Sequence, residues 1–340
     1  MSLKPYYIQH GNIYLVPITH YTMEMAHAVR TAFLEVNPDC VAVELPETMT
    51  LRLLHAASRL PDISVVISYS ADQNPLYYLA EPCDAAFEGL RSALEAGRKA
   101  FCIDLDVDYY PDIHDPIPDP YSLNRIGLKA FYNLYTKAAK PLTTIDEDRE
   151  FYMAKRLKEL SLQFDKVLFV GGMAHIQSIL KKIDLNSFPL LQTPERSFVE
   201  IATLTEESCR EVMVEWGYLT THYEELRKIG FPDRQKIILS LYKEAAKSYQ
   251  TETGNNFPGY NLRNTMKFSR NYALTTGRLM PDLYQILSSA KGCVDANYAY
   301  ETWKLATTYP YLKNVDNLQV LDLSPEDLWG KSKLIRFQLK

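Results

Sequence analysis

Short apolar runs separated by amphipathic stretches fill the first two hundred residues, and helical periodicity takes over after them. Residues 12–17, Cys40–Glu44, Ser64–Tyr69, Ala100–Asp104 and Lys166–Val170 read as strands, with Phe198–Leu204 as a last one. Between them lie helical patterns. Met25, Ala26, Val29, Ala32, Phe33 and Val36 recur at helical spacing, Thr22 is placed to cap them with Glu24 in the first turn, and Asn37-Pro38-Asp39 stops them. Glu47–Ser58, Asp84–Ala96, residues 123–138, residues 146–162 and Ala174–Ile183 also read as helices, with Gly97 ending the second. Strands alternating with helices predict an α/β fold with a mostly parallel sheet flanked by helices.

From about residue 206 the segments 206–215, 222–229, 233–249, 259–274, 281–290 and 295–307 are helical, without a repeat of fixed period. The chain of 340 residues therefore reads as two domains. Residues 1–205 form an α/β core with the candidate site, and residues 206–340 a mainly helical domain, lid or interaction region. Thr251–Tyr260 is a loop. The final KLIRFQLK is apolar and strand-like with nothing after it, the pattern of a chain cut from a longer protein.

Composition narrows the function classes. With 46% hydrophobic and 23% charged residues the chain is globular rather than disordered. A net charge of −5 gives no electrostatic footprint for nucleic acid. The five cysteines are scattered with no CxxC, which favours a reducing compartment. No apolar run approaches the roughly 20 residues of a membrane helix, and MSLKPYYIQHGN lacks a signal-peptide core. A soluble cytoplasmic protein is the expectation. The 24 tyrosines lie mostly on or beside predicted helices, as amphipathic packing with the hydroxyl at the surface.

Candidate chemistry gathers at strand ends. His20 follows NIYLVP, Glu44 closes CVAVE, Asp104 closes AFCID, and His175 follows KVLFVGGMA. In parallel sheets the carboxyl ends of strands share one edge, where ligand sites form. Two imidazoles and two carboxylates there point to hydrolysis or metal binding more than to nucleotide binding. Each also has a structural reading: the histidines as local caps, Glu44 as an ion pair with Arg30 or Arg52. Arg149 lies on a predicted helix near Met153 and Arg156, placed to clamp a carboxylate or an oxyanion if it faces inward.

Asp104, Asp106 and Asp108 resemble the opening of a calcium loop. Tyr109 stands where the turn glycine belongs, a strand precedes, and Asp115 replaces the closing glutamate, so an EF-hand is rejected. Asp106, Asp108, Asp112 and Asp115 read as a solvated acidic loop, with a hard divalent cation as the alternative. Gly171-Gly172 allows a tight strand-to-helix turn. The phosphate-binding glycine motifs and GxSxG are lacking. His10, His27, His55, His114 and His222 have no spacing partner and read as structural or exposed.

The order of these motifs resembles the TraB/Tiki/ChaN-like and erythromycin-esterase-like superfamily over about residues 10–185. GNIYLVPITHYTMEMAHAVRTAFLEVNPDCVAVELPE is similar to its opening, a strand ending in a GxxH-type motif, then a helix and a strand ending in glutamate. REFYMAKRL followed by KVLFVGGMAHIQSIL resembles its later half. Gly172-Met173-Ala174-His175 matches the second GxxH motif, whereas Pro17 replaces the glycine of the first in Pro17-Ile18-Thr19-His20. The segment between resembles a bacterial branch whose members lack an assigned reaction.

The resemblance implies a hydrolase-like core with a site of His20, Glu44 and His175, supported by Arg149 and Asp104. Relatives diverge: some look like metal-dependent peptidases, some open lactone esters with a histidine–glutamate pair, and one type binds haem. The expectation is hydrolysis of an ester or peptide bond in a small-molecule or peptide substrate. Glu44 activates water, directly or on a divalent zinc, manganese or iron ion held by His20, Glu44 and His175, and Arg149 stabilises the developing charge. The alternatives are a non-enzymatic ligand or partner module, binding a protein or a second copy through the helical region, and a haem- or small-molecule-binding protein.

Overall fold

Strand pairing in a computed structural model sorts the apolar runs into two sheets. The structure describes residues 5–69, 74–110, 115–194, 196, 198–314 and 316–329. The KLIRFQLK segment, Asp112 and His114 lie outside these residues. The first region runs β1 (Ile8–His10), β2 (Ile13–Ile18), α1 (Met23–Val36), β3 (Cys40–Pro46), α2 (Thr50–Arg59), β4 (Ser64–Tyr69), β5 (Pro75–Ala80) and α3 (Ala85–Glu95). It continues through β6 (Lys99–Asp104), α4 (Leu123–Ile126), α5 (Leu128–Thr136), α6 (Thr144–Ser161), β7 (Val167–Gly172), α7 (Ile176–Lys182) and β8 (Val199–Leu204).

The first sheet has the order β1-β2-β7-β3-β6, with β2, β7, β3 and β6 parallel and β1 an antiparallel edge. Its central strands are apolar runs, and every residue of β3 is buried, as suits a parallel sheet covered on both faces. Helices α1 and α3 pack on each other and on this sheet, as do α6 and α7. Gly89 lets α3 approach closely, since a Cβ there would lie 3.1 Å from Val170 and 3.4 Å from Val43.

The expectation of one mostly parallel sheet is corrected here: the fold is α/β with two mixed sheets. Ser64–Tyr69 leaves the parallel sheet and pairs antiparallel with both β5 and β8 in a second sheet ordered β5-β4-β8, which a short later strand extends. The connection of residues 70–74 is too short for the crossover that a parallel pairing needs. The strand PLYYLA was not expected, because it opens on a proline and its tyrosines are only half-buried. Gly127, at φ +79°, breaks the expected helix 123–138 into α4 and α5.

The later region contains α8 (Glu206–Val212), α9 (Gly217–Leu226), α10 (Arg234–Thr253), α11 (Gly259–Thr275), α12 (Leu283–Cys293), α13 (Ala296–Thr307), β9 (Val320–Leu321) and α14 (Pro325–Trp329). Strand β9 pairs parallel with β8. No helix among the described residues is long and apolar enough to cross a membrane. The apolar core of the helices takes in Met23, Ala26 and Cys83 from the first region. Tyr109, Tyr260 and Tyr300 are exposed, but three tyrosines of the helical region correct the surface reading. Tyr223, Tyr242 and Tyr298 are fully buried, and their hydroxyls donate to Glu88 at 3.0 Å, the Ile286 carbonyl at 3.1 Å and the Tyr242 carbonyl at 2.9 Å.

Buried ion pairs join the two regions. Arg227, which caps the C-terminal end of α9, donates to Glu88 of α3 at 2.6 and 3.1 Å, and to Glu95 at 2.9 Å. Arg91 meets Glu224 at 2.5 and 3.0 Å. Arg234 donates to both oxygens of Glu24 at 2.7 Å and also holds Glu215. Removing one member of such a pair strands a buried charge. Arg227→Met is expected to cost about 3–5 kcal/mol in urea denaturation, with Glu88→Leu added in the same chain recovering much of it. An Arg227→Met loss below about 1 kcal/mol, the range of an exposed pair, would contradict the burial argument.

Candidate active site

All five expected site residues, His20, Glu44, Asp104, Arg149 and His175, line one cavity of about 460 Å³. It opens at the carboxyl edge of the first sheet. Glu44 sits where the β3–β6 register shifts between Val43 and Pro46, and such an irregularity re-aims a side chain. Its Oε2 accepts a 2.6 Å hydrogen bond from the Gly172 amide. A Cβ on Gly171 would stand 3.1 Å from that oxygen and 2.4 Å from the Phe169 ring, and one on Gly172 would stand 3.3 Å from it. The glycine pair thus serves close approach to Glu44; neither glycine has a positive φ.

Arg149, on α6, is only 6% exposed. Its Nε donates to both oxygens of Asp104 at 3.1 Å, and Nη2 donates to Asp104 and Glu44 at 2.8 Å each. Nη1 donates to Asp146 at 3.0 Å, and the Tyr110 ring covers the guanidinium at 4.9 Å. Asp146 is held in turn by a capping box with Thr143. Glu44 therefore pairs with Arg149 rather than with Arg30 or Arg52. Its Nε and Nη2 hydrogen bonds hold Glu44 and Asp104 in place.

His175 is buried between two carboxylates, its Nε2 3.3 Å from Glu44 and its Nδ1 3.2 Å from Glu150. Burial lowers its pKa, but the charge of Glu44 and the Glu150 contact outweigh this and leave it raised. Glu150 is also bound by Lys182 at 2.7 Å and by Ser178. Burial pushes Glu44 up, yet His175, Arg149 and the Gly172 amide hold its carboxyl below the ordinary value. For Asp104 the balance reverses. Burial dominates, Arg149 opposes and Glu44 adds, so the carboxyl is pushed up to about 6.

His20 stands at the mouth of the cavity with its side chain 40% exposed. Its Nδ1 lies 2.8 Å from Asp84 Oδ2. A carboxylate accepts only, so Nδ1 carries the proton and Nε2 is left as the acceptor. Desolvation lowers the His20 pKa, and the charge and hydrogen bond of Asp84 more than restore it, for a net rise. Asp84 was expected only as a helix start. Its Oδ1 does cap α3, accepting from the Ala86 and Phe87 amides at 2.9 and 3.0 Å, which leaves Oδ2 for His20.

Tyr78, Tyr110 and Glu150 were also missed. The hydroxyls of Tyr78 and Tyr110 are buried, and neither meets hydrogen-bond geometry with a partner. Burial raises both phenols' pKa, so they keep their protons.

The acidic loop is solvated only in part, with Asp108 exposed. Asp106 is buried, accepts from Thr48, and is gripped by Arg196 at 2.8 and 2.9 Å; Arg196 also reaches Asp108 at 2.7 Å. Asp115 accepts from the Tyr135 hydroxyl at 2.5 Å. Among the described residues no group of three or more histidine, cysteine or carboxylate side chains is arranged to hold a metal ion. The donor chemistry gives a reason. Each Glu44 oxygen already accepts a hydrogen bond, from Arg149 and from Gly172, and the Arg149 guanidinium lies 3.5 Å from His175 Nε2. A cation placed there meets the fixed positive charge of Arg149. A metal on Glu44 and His175 would compete with Arg149, Gly172 and Glu150 for their donor atoms. The remaining histidines behave locally: His10 pairs with Asp184, His55 with Asp316, His222 with the Tyr218 carbonyl, and His27 with Thr31.

No family model, curated protein or solved structure matches the chain.

The Asp104 carboxyl supplies a stability test. A group whose pKa is raised in the folded state binds its proton more tightly there, so its contribution falls as pH rises from its ordinary 3.8 towards about 6. Asp104→Asn lacks this decline. Urea denaturation across that window is expected to show the variant gaining on the parent as pH rises. A variant that loses ground instead would mean that Arg149 outweighs burial at Asp104.

Proposed function

We propose that the chain is an ester hydrolase that uses a histidine–aspartate pair without a metal, and that it belongs to the superfamily its strand-end motifs resemble. The observation that carries the reading is the His20–Asp84 pair at 2.8 Å, placed at the mouth of a cavity floored by Glu44, Asp104, Arg149 and His175. His20 Nε2 takes a proton from the water that attacks the ester carbonyl, while Asp84 fixes the tautomer and stabilises the imidazolium. The Tyr78 and Tyr110 hydroxyls donate to the developing oxyanion. The imidazolium then returns its proton to the leaving alcohol. Glu44 moves from the water-activating role expected of it to a structural anion, because its oxygens are engaged and its pKa is depressed.

The saturated floor also favours a second reading, a pocket that binds a carbonyl ligand without turnover. Hydrolysis of short p-nitrophenyl esters distinguishes the two. In the first reading His20→Ala and Asp84→Asn each lower kcat/KM by about 10²–10⁴-fold with folding intact, and the two losses do not add. The parent's kcat/KM then rises with pH along a limb centred above 6.5, as His20 loses its proton. Esters that bind and shift the melting temperature, yet are never cleaved faster than by buffer, would replace the enzyme with the binding pocket.

A further inference from the structure

A second cavity, of about 840 Å³, lies where the segment 121–126 meets α10, α11 and residues 279–281. The size is in the range of small-molecule sites, about 300–1,000 Å³. Its apolar lining comes from Ile126, Ile238, Met266, Leu274, Leu279 and Met280. Its charged residues are all cations: Arg125, Lys267 and Arg270 line it, and no carboxylate does.

The placement follows from the helices. Lys267, Arg270, Asn271 and Leu274 recur at three- and four-residue spacing, so one face of α11 carries two cations and then an apolar end. Across the groove Arg125 donates to the Tyr121 hydroxyl at 3.2 Å, and Tyr121 reaches Gln235 at 3.4 Å. Asp119 ties the groove's two edges together. One of its oxygens accepts from the Leu279 amide at 2.8 Å, and the other accepts from the Tyr121 amide at 2.9 Å. The acidic group whose charge reaches Arg125 is Asp233, which caps α10 instead through the Gln235 amide. Lys267 and Arg270 form no ion pair among the described residues.

Three cations and a set of apolar side chains lining one cavity are complementary to one kind of molecule, an anionic head on a hydrocarbon chain. We propose that this groove binds a single-chain amphiphile with a carboxylate or phosphate head, the head on Arg125, Lys267 and Arg270 and the chain over Ile238 and Leu274. The site is separate from the cavity at the sheet edge, and the proposal does not depend on the hydrolase reading.

Isothermal titration of the full chain tests it, with dodecanoate and dodecyl phosphate as probes and with dodecanol and acetate as controls. At least one anionic amphiphile is expected to bind, with dodecanol and acetate each more than tenfold weaker, and the tighter of the two probes names the head group. Lys267→Glu/Arg270→Glu changes only exposed side chains, retains the parent's circular dichroism, and is expected to weaken the bound probe more than tenfold. The proposal is overturned if neither probe binds, if dodecanol or acetate binds as tightly, or if the charge-reversed variant binds like the parent. The last outcome would place the amphiphile elsewhere, including in the sheet-edge cavity.

Discussion

The buried guanidinium of Arg149 is the constraint around which the sheet edge is built. A desolvated cation in the interior is tolerated only when its donors are matched by nearby anions. Here the matching groups come from different parts of the chain: Glu44 from β3, Asp104 from the end of β6, and Asp146 one turn earlier on α6. The network closes only if the β3 irregularity, the β6 terminus and α6 are all in register. Net stabilisation from such a cluster is small, because desolvation offsets most of the attraction. Its effect is to disfavour alternative arrangements, each of which would leave a buried charge unmatched.

The same saturation divides the labour within the cavity. Glu44, Asp104, Arg149 and His175 satisfy one another, so they form a fixed electrostatic floor. The group with an uncommitted ring nitrogen, a raised pKa and solvent access is His20. The Tyr78 and Tyr110 hydroxyls turn to each other rather than to the charged floor. Reactivity in a site belongs to groups that still have something to exchange, which moves attention from the most buried residues to those of the wall.

The strand-end residues were legible because a charged side chain closing an apolar run has few places to go, and parallel strands bring such ends together. His20, Glu44, Asp104 and His175 converge for that reason, and Arg149 turns inward because the i, i+3 partner Asp146 and the two strand-end carboxylates lie on that side of α6. Asp84 was hidden by its own signature. A carboxylate before AAFEGL reads as a helix cap, which it is, and nothing in the sequence tells that the second oxygen serves a histidine. Tyr78 was missed with its strand, since PLYYLA has neither strict alternation nor a full apolar run. The second sheet was missed because β-branched runs such as SVVISY look alike in either kind of sheet, and the pairing partner decides. Asp106 looked solvated because its counter-ion, Arg196, lies some ninety residues away in an otherwise irregular stretch.

The helical half acquires a structural meaning from where it is attached. His20 lies just before the Thr22 cap position of α1, and Asp84 caps α3, so the geometry of the pair depends on how the N-terminal ends of these two helices are held. Near the start of α1, Glu215 accepts from the Met23 amide at 3.1 Å and shares Arg234 with Glu24. Near the start of α3, the Cys83 thiol lies 3.7 Å from the Thr220 hydroxyl, and Glu88 is held by Arg227 and Tyr223 one turn further on. Each contact comes from residues after 206 and is buried or part-buried, so prising the helices away would break ion pairs and hydrogen bonds at both helices at once. A lid hinged on such contacts would incur that cost at every opening. The arrangement instead suits a brace, which fixes the spacing of α1 and α3 and with it the 2.8 Å separation of His20 from Asp84.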